Sequence, residues 1–89
     1  MKSNTTKRFR KAFSLLPDEI KDQGRNAYRQ FKINPWHSSL RFKCVHPTLP
    51  IYSARICKGY RAVCQKTGNK IVWFWIGSHG EYDLLLKQL

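Results

Sequence analysis

Apolar positions recur at helical spacing in the first third of the chain and alternate after it. Phe9, Ala12, Phe13 and Leu16 fall on one helical face, with Thr5 or Thr6 placed to cap it. Residues 1–7, ahead of that face, are polar and predict a frayed end. The Leu16-Pro17 step stops the helix, because a residue before proline disfavours the α region. Pro17 suits the first turn of a second helix, with Asp18 and Glu19 against the positive end of its dipole. Ile20, Gly24, Ala27, Tyr28 and Phe31 share one face there; Lys21, Arg25, Arg29 and Lys32 occupy the others. The two helices read as a short antiparallel hairpin.

Residues 33–40 (INPWHSSL) carry turn chemistry and predict a loop. Beyond them, residues 40–46 alternate, with Leu40, Phe42 and Cys44 on one side and Arg41, Lys43 and Val45 on the other. Two prolines hold a loop at 47–50. Strands follow at 52–57, 60–65 and 71–77, separated by turns at Lys58-Gly59 and around Gly68-Asn69. The third, IVWFWIG, is apolar on both faces and predicts a central strand: Val72, Phe74 and Ile76 on one side, Ile71, Trp73 and Trp75 on the other. Residues 81–88 favour a short terminal helix. The order implies a single α+β domain over 1–89, with an N-terminal helical hairpin packed on an antiparallel meander of about four strands.

Charge sharpens this picture. The 89 residues carry 17 Lys and Arg against 5 Asp and Glu, a formal net charge of +12. Such an excess on a small domain points to a polyanionic partner. No apolar run is long enough to span a membrane. Residues 1–15 lack the apolar core of a secretory signal, so a cytoplasmic location is expected. Three cysteines, none in a CxxC pair, argue against a disulfide framework. Cys44 and His46 form a Cys-x-His pair, but nothing supplies the second half of a zinc site. No metal or cofactor is expected.

The candidate chemistry lies past Gly77. Most of the Trp-Phe-Trp run reads as core, with Trp75 the ring best placed to stack on a base. His79 follows the strand end and suits proton transfer near neutral pH; Tyr82, three residues on, can donate a hydrogen bond or stack. Arg55 and Arg61 lie on adjacent strands and can hold a phosphate. A two-residue turn puts them on opposite faces; a bulge puts them together. Such a set can cleave RNA without a metal. The structural alternative has His79 capping the terminal helix and Tyr82 packing beneath it.

NPWHSSL, then YSARICKGYRAV, then IVWFWIGSHGEYDLL, in that order, resemble the RelE/ParE superfamily of toxins from bacterial type II toxin–antitoxin systems, from about Leu15 to Leu86. The resemblance implies a toxin fold and one of two activities: ribosome-dependent mRNA cleavage, as in RelE-like members, or inhibition of DNA gyrase, as in ParE-like members. It matches Arg61 to the arginine that stabilises the phosphate. It matches Arg55 to a basic residue on the preceding strand, and His79 to a histidine or arginine position. Tyr82 serves as the C-terminal aromatic, and Lys43 as a general base or phosphate contact. Ser53 stands where some members carry a lysine. Many members open with a β-strand, whereas TTKRFRKAF reads as helix.

The leading expectation is therefore an mRNA endoribonuclease. Arg61, His79, Tyr82 and Arg55 form its catalytic group, and Lys43, Arg41, Lys58 and Trp75 its nucleic-acid surface. The ribosome, mRNA and an acidic antitoxin are its partners. A gyrase inhibitor, or a toxin fold that only binds a partner, is the alternative.

Overall fold

The computed structural model describes residues 2–89. The first helix, α1 (Lys7–Ser14), is capped by Thr6, whose hydroxyl accepts from the Phe9 amide at 3.1 Å. Leu15 and Leu16 close it with backbone bonds to Ala12 and Phe13. Pro17 then precedes α2 (Asp18–Ile33), with Asp18 and Glu19 in its first turn. The helices approach closely at Gly24, where an added Cβ would lie 3.0 Å from the Phe13 ring.

Five strands form one sheet: β1 (Lys2–Thr5), β2 (Lys43–Cys44), β3 (Ile51–Cys57), β4 (Tyr60–Thr67) and β5 (Lys70–Ser78). Their order is β1-β5-β4-β3-β2, antiparallel except for the β1–β5 pair. The predicted meander is thus β2 to β5. β1 corrects the expectation of a frayed, helix-led start. KSNT is too short and polar to declare a strand, and its pairing comes from the free edge of β5. The Trp73 indole also donates to Ser3 Oγ at 3.0 Å.

The predicted strand at 40–46 contracts to Lys43–Cys44. Ser38–Leu40 form a 3-10 turn, and Arg41 ends it in the left-handed region at φ 47°. Leu40 and Phe42 are both buried beneath the helices, but Cys44 is exposed.

Two bulges set the faces of the sheet. Ile56 is an extra residue between Arg55 and Cys57. Phe74 is an extra residue between Trp73 and Trp75. The second corrects the strict alternation expected for β5. Trp73 and Ile76 pack under α1 and α2 with Phe31, Leu40, Phe42 and Ile71. Phe74 and Trp75 both pack on the other side, around Ile51, Val63 and Tyr82. The last helix, α3 (His79–Gln88), covers part of that side. It begins with a capping box: Ser78 Oγ accepts from the Glu81 amide at 3.3 Å, and Glu81 accepts from the Ser78 amide at 3.0 Å. No described helix is long and apolar enough to cross a membrane.

Candidate functional site

Two cross-strand rows meet beneath α3. Lys43, Ser53, Val63 and Trp75 are register partners from β2 to β5. Arg55, Arg61 and Gly77 form the neighbouring row. The Ile56 bulge therefore realises the second of the two turn geometries: Arg55 stands directly opposite Arg61. Arg55 also lines the space under α2.

Tyr82 joins the rows. It is buried, and its hydroxyl donates to Ser53 Oγ at 3.1 Å. The Arg61 guanidinium lies 5.9 Å from the centre of the Tyr82 ring. Its Nε is buried without a hydrogen-bond partner among the described residues. The half-buried guanidinium, fixed beside Tyr82, suits an anion arriving from outside the chain.

His79 approaches the same ring, with centroids 6.1 Å apart. Its amide donates to the Gly59 carbonyl at 2.8 Å, tying the start of α3 to the turn that exposes Lys58. The cap itself is Ser78, so His79 is free of that duty and half its side chain is exposed. Its Nε2 lies 3.7 Å from Asp83 Oδ2, one helical turn away. Arg61 and His79 thus share one neighbour, Tyr82.

Trp75 forms a wall of the site. Its centroid is 6.3 Å from that of Tyr82, and its ring covers Gly77, where an added Cβ would meet it at 2.8 Å. Lys43 and Arg41 are exposed at the β2 edge. Cys44 and His46 are engaged locally: the thiol donates to the His46 carbonyl, and His46 Nδ1 accepts from the Thr48 and Leu49 amides. No three metal-ligating side chains gather among the described residues.

Three participants escaped the sequence reading. Ser53 is the acceptor that seats Tyr82. Asp83 stands beside His79, which the i,i+4 spacing signals. Gly77 makes room for Trp75, for which the sequence carries no signal.

The three-helix, five-strand α+β domain has the fold of RelE-like toxin structures. The sequence matches the ParE-like toxin domain over residues 18–83, and the chain belongs to that family. Among solved structures it is similar to a chain of the RelB–RelE antitoxin–toxin complex from Methanococcus jannaschii, at 17% identity and TM-score 0.72, covering 90% of this chain and 95% of that one. It is also similar to the YoeB/ParE toxin from Agrobacterium tumefaciens, at 15% identity and TM-score 0.67, covering 89% and 99%. YafQ from E. coli gives 14% identity and TM-score 0.69, covering 90% and 94%. No curated protein matches the sequence.

Proposed function

We propose that this chain is the toxin of a type II toxin–antitoxin system and cleaves mRNA on the ribosome. The observation that carries this reading is the contact of Arg61 and His79 with one Tyr82 ring, with Arg55 across the ladder. In the reaction, an RNA 2′-hydroxyl attacks the adjacent phosphorus and the 5′-oxygen leaves. A 2′,3′-cyclic phosphate and a 5′-hydroxyl result. Arg61 and Arg55 stabilise the charge that builds on the pentacovalent phosphate. His79, whose Nε2 lies 3.7 Å from Asp83, transfers a proton to the leaving oxygen. Arg41 and Lys58 hold the flanking backbone, and Lys43, on the row beside the two arginines, takes the proton of the 2′-hydroxyl as general base. Tyr82 positions Arg61 and His79 by its bond to Ser53.

The neighbours solved as RelB–RelE complexes support an antitoxin partner. Its expected acidity complements the +12 charge of this chain. Ribosome and mRNA place the action in the cytoplasm.

The ParE-like family match favours a second reading, in which the protein inhibits DNA gyrase and performs no chemistry. Expression of the toxin followed by primer extension on mRNA and a supercoiling assay on gyrase separates the two. Cut mRNA with active gyrase supports the first; intact mRNA with poisoned gyrase supports the second.

A further inference from the structure

The loop INPWHSSL takes no part in the site under α3, yet it holds a large ring in the open. Trp36 is 57% exposed. It is also fixed. Its ring packs on Phe42 with centroids 5.1 Å apart, and Phe42 in turn packs on Tyr52 at 5.1 Å. Its amide donates to Asn34 Oδ1 at 3.1 Å, and the His37 amide donates to the Asn34 carbonyl. His37 Nδ1 accepts from the Ser39 amide, and Arg41 closes the turn at φ 47°. A non-glycine residue in that region persists only where its surroundings over-determine it. The indole is therefore held ready, with little order left to impose on binding.

The stretch of chain that carries it holds no acid. All five acidic residues are Asp18, Glu19, Asp22, Glu81 and Asp83, so no acid stands between Asp22 and Glu81. Arg41 and Lys43 flank Phe42 in sequence, and the Lys66 ammonium lies 5.7 Å from the centre of the Tyr52 ring at the far end of the aromatic row. An open flat ring on an aromatic row that ends at a lysine, in a chain of net charge +12, suits an unpaired nucleobase whose phosphates the cations can meet. A peptide would cover the ring with an apolar side chain, and the peptide arm of the test separates that case.

We propose that Trp36, outside the Arg61 site and at the β2 edge of the sheet, is a stacking platform for an unpaired base of single-stranded RNA. The inference rests on the RNA-directed reading only for the choice of polyanion.

The test is binding of the intact protein to a single-stranded 2′-O-methyl oligonucleotide, which cannot be cut through its 2′-oxygen. Inorganic polyphosphate of matched charge is the control without bases. Trp36→Ala should bind the oligonucleotide roughly tenfold more weakly and polyphosphate unchanged. Trp36→Tyr should restore most of the loss, and Trp36→Leu, which keeps Phe42 covered, should not. Equal oligonucleotide binding by Trp36→Ala and the parent overturns the proposal, as does an equal loss on both polyanions. A loss confined to a polyglutamate peptide overturns it in favour of a protein partner. Cleavage of ordinary RNA is measured separately: its absence removes the proposed chemistry and leaves the stacking result standing.

Discussion

Arg55 and Arg61 are register partners across β3 and β4 because Ile56 is one residue too many for an even ladder. Without that bulge, pairing from Cys57 and Tyr60 would set Ile56 against Arg61 and turn Arg55 to the other face. Like charges on directly opposite residues are unfavourable, and nothing acidic lies on either strand. An anion bound beside them would relieve that repulsion.

Arg61→Ala should accordingly lower RNA cleavage by about 10²–10³-fold, the usual cost of removing one charge-stabilising donor. The same change also removes a buried Nε that has no hydrogen-bond partner among the described residues, so folding stability should fall little. Single-turnover cleavage and thermal melting on the same sample check both halves.

Tyr82 separates positioning from chemistry. Tyr82→Phe keeps the ring against Arg61 and His79 but removes the bond to Ser53. It should cost about 1 kcal/mol of stability, with the freed Ser53 hydroxyl included. The fall in cleavage should be modest, and its pH profile unchanged. Tyr82→Ala removes a buried ring and should cost about 3–5 kcal/mol, releasing α3 from the sheet. Denaturant melts give the first number, and hydrogen exchange of α3 reports the second.

The capping box makes α3 sensitive to acid. The backbone amide of Ser78, and then its hydroxyl, hold the Glu81 carboxyl below the ordinary glutamate range. A carboxyl lowered on folding stabilises the fold above the pKa it has when unfolded. That contribution fades as pH falls through the lower, folded value. Glu81→Ala should thus destabilise the protein at pH 7 by a fraction of 1 kcal/mol, roughly the worth of an exposed cap. The gap to the parent should narrow as pH falls below the ordinary glutamate range. Melts from pH 3 to 7 trace it.

The cysteines offer a check on packing. Burial pushes the Cys64 thiol up to about 12, whereas Cys44 is exposed. At pH 8 a maleimide should label Cys44 in the native protein and reach Cys64 only after denaturation. Peptide mapping by mass spectrometry reads the order.

Much of the scaffold was legible from spacing. The helical hairpin, the three long strands and the terminal helix follow from periodicity, Pro17, and turns at Gly59 and Gly68. β1 was not legible, because four polar residues become a strand only when β5 offers an edge. Nor was the bulge at Phe74 legible: a run apolar on both faces hides a change of register, so Trp75 sits with Phe74 and not with Trp73. Within the site, the sequence isolated Arg61, His79 and Tyr82 but left the face of Arg55 open, since one extra residue decides it. Ser53 looked like a missing lysine; in the fold it is the acceptor that seats Tyr82.

The central claim is that Arg61 and His79 act on one RNA phosphate. Primer extension on mRNA from cells expressing the toxin, Arg61→Ala or His79→Ala tests it most directly, with circular dichroism to confirm that each variant folds. Discrete new 5′ ends with the parent, lost in both folded variants, are the predicted result. Intact mRNA in cells whose growth the parent arrests, or identical cuts in all three, would contradict it.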